Sequence, residues 1–102
     1  MIDWKALGDE TVDLLRRYLM IDTTNPPGNE IAGARFLADV LGGDGIASEI
    51  VESAPGRANL RARLAGDGSL GGIVLHHHID VVYADRRYWT VDPFGGRGVT
   101  RP

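Results

Sequence analysis

Apolar residues recur at three- and four-residue steps through the first twenty positions: Trp4, Leu7, Leu14, Leu15, Tyr18 and Leu19, with Thr11 on the same stripe. This is the spacing of one helix face, and it predicts a helix capped by Asp3 and running to about Ile21. The segment Asp22-Thr23-Thr24-Asn25-Pro26-Pro27-Gly28 ends it, because Pro26 drives Asn25 out of the helical region. A second helix is predicted after Asn29, its N-cap, with Ile31, Ala34, Leu37, Ala38 and Leu41 as the buried face and Gly42-Gly43 as the stop. The period then changes to two. Ser48 to Glu52 reads as a short strand after a turn at Gly45, and Asn59 to Leu64 alternates Leu60, Ala62 and Leu64 against Arg61 and Arg63. Gly66-Asp67-Gly68-Ser69 turns the chain into Gly72 to Val82, the most apolar of the predicted strands. The fold class expected is α/β: two N-terminal helices, then three strands in a mixed sheet.

Composition narrows the function classes. At 102 residues the chain allows one small domain. Its formal net charge of −3 argues against nucleic-acid and anionic-membrane surfaces, which require a positive field. The basic residues are scattered, and Arg57, Arg61 and Arg63 alternate as a solvated strand face does. The absence of cysteine excludes disulfides, thiolate zinc sites and cysteine nucleophiles. Met1-Ile2-Asp3-Trp4-Lys5 has neither a basic nor an apolar leader region, and no apolar run reaches the roughly 20 residues of a membrane helix, so a cytoplasmic protein is expected.

The chemistry concentrates near the end of the predicted third strand. Residues two apart on a strand share a face, so His76, His78 and Asp80 are expected on one side, with Leu75, His77 and Ile79 on the other. Imidazole nitrogen is a common zinc ligand, and a nearby carboxylate orients the ring and raises its basicity. The His-x-Asp arrangement supplies both groups from one strand end, where open α/β sheets bind ligands. Taken alone, this spacing leaves ordinary buried histidines as an alternative.

The string Val74-Leu75-His76-His77-His78-Ile79-Asp80-Val81-Val82-Tyr83, with Trp89-Thr90-Val91-Asp92-Pro93-Phe94-Gly95-Gly96 after it, resembles the first metal motif of the co-catalytic zinc exopeptidase and deacylase family. That family includes aminoacylase, glutamate carboxypeptidase, acetylornithine deacetylase and succinyl-diaminopimelate desuccinylase. The segments Asp22 to Glu30 and Gly56-Arg57-Ala58-Asn59-Leu60 resemble its loop after the first helix and its second-strand entry. Two positions depart from the pattern: His77 stands where glycine is usual, and Tyr83 where proline is usual.

The resemblance implies a metallohydrolase cleaving the amide bond of N-acyl amino acids or small peptides. His78 would be a ligand of one of two zinc ions, with cobalt or manganese as substitutes, and Asp80 the catalytic-site carboxylate that orients it. It further implies that residues 1–102 form the N-terminal part of a catalytic domain. The remaining ligands, the general base and a dimerisation domain, which would support a homodimer, are expected in further sequence. The glycine-rich tail from Gly95 to Pro102 is expected to be a cut and not an ending. One histidine and one carboxylate are too few for a catalytic zinc, which takes three protein ligands and an open position, so the isolated chain is expected to be inactive. The rival expectations are a truncated, non-catalytic binding module and a small metal-storage or delivery protein. Trp89 and Phe94 are expected to pack the loop over the sheet, and Asp85 and Asp92 to serve turns.

Overall fold

The computed structural model describes residues 1–98, so the last four residues of the glycine-rich tail, 99–102, lie outside the described residues. The chain divides into two units: Met1–Asp22 with the segment from Tyr83 onward, and Thr23–Val82.

In the first unit, helix α1 spans Trp4–Leu19. The carboxylate of Asp3 accepts from the Ala6 amide at 3.0 Å, so the predicted N-cap is in place. Arg16 and Arg17 sit in its last turn, where a positive charge opposes the helix dipole. The apolar stripe is only partly covered. Leu14 and Tyr18 are half-buried, whereas Trp4, Leu7, Leu15 and Leu19 are exposed. Farther along, Asp85 accepts from the Arg87 amide and Asp92 from the Phe94 amide, so both aspartates serve turns. Phe94 is half-buried and Trp89 is exposed. The Arg16 guanidinium donates to the carbonyl of Gly96 at 2.6 Å, tying the glycine-rich segment to α1.

In the second unit, helix α2 spans Glu30–Gly43 and packs across an antiparallel hairpin of β1, Ser48–Ala54, and β2, Arg57–Ala62. The small core is built from Ala34 and Ala58, with Gly33 beside them and Ile31, Leu37 and Leu41 half-buried on the predicted helix face. Ile50 stands opposite Leu60 in the register, and both are half-buried. Glu49 stands opposite Arg61 on the solvent side, where the two side chains form an ion pair.

Four expectations about elements are corrected. Asn29 occupies the N-cap position of α2 but makes no side-chain cap bond. The hairpin turn does part of that work, because the Gly56 carbonyl accepts the Ile31 amide at 3.2 Å. At the other end, Gly42 and Gly43 stay helical and the stop comes at Gly45, with φ +74. The Gly45 amide bonds to the Gly42 carbonyl and the Ile46 amide to the Leu41 carbonyl, the paired bonds of a Schellman cap. Strand β2 begins and ends two residues before its predicted span, because its partner β1 begins at Ser48, opposite Ala62.

The largest difference concerns Gly72 to Val82. Among the described residues the sheet has two strands, not three, and its pairing is antiparallel. Among the described residues this segment makes one isolated parallel bridge, Thr24 to Val81. Ile73, Val74 and Leu75 are 84%, 89% and 87% exposed. Alternation and β-branched side chains raise strand propensity, but a strand exists only where a neighbour accepts and donates its backbone hydrogen bonds. No such neighbour faces Ile73 to Leu75 within this unit.

Candidate functional site

The loop after α1 and the end of the apolar segment meet in the second unit. Thr23, 3% exposed, donates its hydroxyl to the Ile79 carbonyl at 2.9 Å. The Val81 amide donates to the Thr23 carbonyl at 3.2 Å, and the Asn25 amide donates to the Val81 carbonyl at 2.9 Å. These bonds place Asp80 between two docked neighbours. Its Oδ2 accepts from Asn25 Nδ2 at 3.0 Å, and its Oδ1 lies 3.3 Å from His78 Nδ1.

His78 is fixed through one ring nitrogen. Its Nδ1 lies 2.9 Å from the Asp80 carbonyl oxygen, in addition to the carboxylate contact. Both partners are acceptors, so these contacts suit the neutral tautomer with the proton on Nδ1 and the lone pair on Nε2. The side chain is 84% exposed, which leaves Nε2 accessible. Donation from Asn25, reinforced by the charges of His78 and Arg57, holds the Asp80 carboxyl below its ordinary value, against a smaller opposing effect of desolvation.

A second ion pair supports the same region. Arg57 Nε donates to both oxygens of Glu30, at 2.9 and 2.7 Å, and the Glu30 carboxylate is almost wholly covered. This contact holds the Arg57 guanidinium above its ordinary pKa. Arg57 is therefore not part of a solvated face, as its alternation with Arg61 suggested. Arg57, Glu30 and Leu37 line a cavity of about 390 Å³ together with His76, His78 and Asp80.

His78 and Asp80, singled out by their spacing, are thus brought together by direct contact. The strict face alternation expected of residues 75–80 is absent: both odd and even positions line the cavity, because the segment is not a sheet strand. The supporting residues Thr23, Asn25 and Glu30 were not legible as a site. Their partners lie 56, 55 and 27 positions away, and the loop's composition signals only a helix stop.

The donor set can be tested against zinc from these contacts. A histidine with Nδ1 bonded to oxygen and Nε2 accessible has the form of a zinc ligand supported by a neighbouring acceptor. One such ligand does not make a site, and among the described residues no group of three His, Cys, Asp or Glu side chains could hold a metal ion. A catalytic zinc takes three protein ligands and an open position, so these residues do not by themselves make such a centre. Among the described residues, no helix is long and apolar enough to cross a membrane.

Comparison with known proteins agrees with the motif-level resemblance. The chain is 33% identical over 87 residues to aminoacylase-1 of Sus scrofa, a match covering 84% of this chain and 21% of that protein. It is 33% identical over 85 residues both to aminoacylase-1 of Homo sapiens and to aminoacylase-1B of Rattus norvegicus, covering 82% of this chain and 21% of each. The chain spans about a fifth of the length of these curated relatives. No family model and no solved structure matches it.

Proposed function

We propose that this chain is the N-terminal part of the catalytic domain of a zinc-dependent amidohydrolase, acting on the amide bond of N-acyl amino acids or small peptides. In this reading His78 is a zinc ligand through Nε2, and Asp80 is the carboxylate that orients its ring. The observation that carries it is the His78–Asp80 contact, with Nδ1 directed at 2.9 Å to the Asp80 carbonyl, in a chain similar to aminoacylase-1. Zinc in such a centre polarises the scissile carbonyl and activates water. What these residues contribute is narrower. Asp80 keeps the ring proton on Nδ1, Asn25 keeps the carboxylate turned toward the ring, and the cavity beside Arg57 gives a small polar substrate room. The remaining ligands, the general base and any homodimer contacts belong to further sequence of the complete enzyme.

The test is metal analysis of the 102-residue chain beside its His78→Ala variant after equilibration with zinc. Weak zinc binding by the parent, of the kind one ligand gives, lost in the variant is the expected result, and equal binding in both removes the ligand assignment. The same chain is expected to release no amino acid from an N-acetyl amino acid, since a single ligand cannot hold a catalytic zinc. A second reading, a non-catalytic binding module, draws on the exposed Ile73–Leu75 segment, which joins no sheet among the described residues and suits strand addition. Equal zinc contents would leave that reading in place.

A further inference from the structure

The contacts around Asp80 carry a consequence for the loop that precedes α2. The peptide joining Asp80 to Val81 has its amide bonded to the Thr23 carbonyl, at 3.2 Å. In a trans peptide the carbonyl points opposite to the amide, so the Asp80 carbonyl is turned away from Thr23. It is this oxygen that meets His78 Nδ1 at 2.9 Å. The Asp80 side chain is set from the same loop, because Asn25 takes Oδ2 and leaves Oδ1 beside Nδ1. Both acceptors facing the imidazole are therefore aimed by residues 23–25, which lie more than fifty positions earlier in the chain.

We propose that Thr23 and Asn25 are positioning residues forming a clamp that sets the tautomer of His78, keeping the proton on Nδ1 and the lone pair on Nε2. The clamp deepens the proposed role of His78 as a ligand through Nε2, but its geometry does not require a metal. Free histidine in its neutral form favours the opposite tautomer, with the proton on Nε2, so the clamp works against an intrinsic preference. The two residues divide the task. Thr23 fixes the backbone on both sides of Asp80, through its hydroxyl to Ile79 and its carbonyl to Val81. Asn25 fixes the carboxylate, and its backbone amide also docks on Val81, a bond that side-chain substitution leaves in place.

The test uses the full 102-residue chain, labelled with nitrogen-15 in histidine and studied without metal at alkaline pH, where free imidazole is neutral. Nitrogen shifts assigned to His78 report which ring nitrogen carries the proton. The parent chain is expected to show His78 protonated mainly on Nδ1. Asn25→Leu, close in shape but without a donor, is expected to lower the ratio of Nδ1–H to Nε2–H about threefold to tenfold, the effect of losing one hydrogen bond. Asn25→Gln, which keeps an amide donor, is expected to restore part of that ratio. Combining Asn25→Leu with Thr23→Val is expected to lower the ratio further toward that of free histidine, without reaching it, because the Thr23 carbonyl still holds the Val81 amide. A parent His78 protonated on Nε2 overturns the proposal, and so does an unchanged ratio in the double variant. A Gln variant no better than the Leu variant overturns the part given to the Asn25 amide. Zinc titration of the same samples beside His78→Ala separates this inference from the functional reading: a ratio that responds as described in a chain whose weak zinc binding is unchanged by His78→Ala leaves the clamp standing and removes the ligand role.

Discussion

Gly28 shows how one residue without a side chain supports the site region. Its φ of +92 lies in the left-handed region, and a Cβ there would approach Arg57 Nε to 2.5 Å. An arginine elsewhere could swing aside, but this Nε is bonded to both oxygens of the buried Glu30. Gly28→Ala is therefore expected to strain the backbone and loosen that ion pair at a cost of about 1–3 kcal/mol, read as a lower denaturation midpoint in urea. Asp80 gives a prediction of a different kind. Its folded pKa is depressed, first through the Asn25 hydrogen bond, so the stability it contributes is fully present above the unfolded carboxylate value of about 3.9. That contribution is lost as pH falls through the lower folded value. The side-chain amide resonances of Asn25, followed during acid titration, are expected to move with a midpoint below the ordinary carboxylate value; a midpoint above it contradicts the assignment. Of these residues, His78 and Asp80 were legible in the sequence because they are two positions apart. Asn25, Glu30 and Arg57 were not, because hydrogen bonds between distant segments leave no spacing to read.

The elements divide according to whether their ends are locally decided. The start of α1 is local: Asp3 precedes the apolar stripe and its carboxylate reaches the Ala6 amide. Asp3→Ala is expected to cost about 1 kcal/mol and to weaken exchange protection at Ala6, measurable by amide hydrogen exchange. The end of α2 is less local. Three glycines, Gly42, Gly43 and Gly45, compete to end the helix, and the chain chooses the one whose positive φ lets two capping bonds form together. The start of α2 depends on a carbonyl of the hairpin turn, which no pattern near Asn29 announces. Strand ends follow the same logic, since β2 extends only as far as β1 can pair with it.

At the scale of the whole molecule, the second unit is a helix on a two-stranded hairpin followed by a long apolar segment that makes one bridge. Stability is accordingly expected to be uneven. The ladder amides of β1 and β2 are expected to exchange at least about a hundredfold more slowly than those of Ile73, Val74 and Leu75, because local opening free energies run from near zero up to the global value. Equal protection across both regions would show that the apolar segment finds a pairing partner in solution. The same contrast explains why the loop at Thr23–Asn25 matters to the candidate site. It supplies the backbone bonds that Ile79 and Val81 make there, and so gives the His78–Asp80 pair a fixed geometry at the end of a segment that is otherwise uncovered.

The sequence by itself determined the α/β class, both helices with the buried face of α2, the hairpin strands to within two residues, and the pairing of His78 with Asp80. Each of these rests on short-range periodicity, which the covalent chain enforces directly. Only the tertiary structure decided that Gly72 to Val82 has no sheet to join within this unit, that Arg57 is committed to Glu30, and that Thr23 and Asn25 orient Asp80. Those outcomes depend on which distant groups satisfy one another's hydrogen bonds, and that accounting closes only when the segments meet in space.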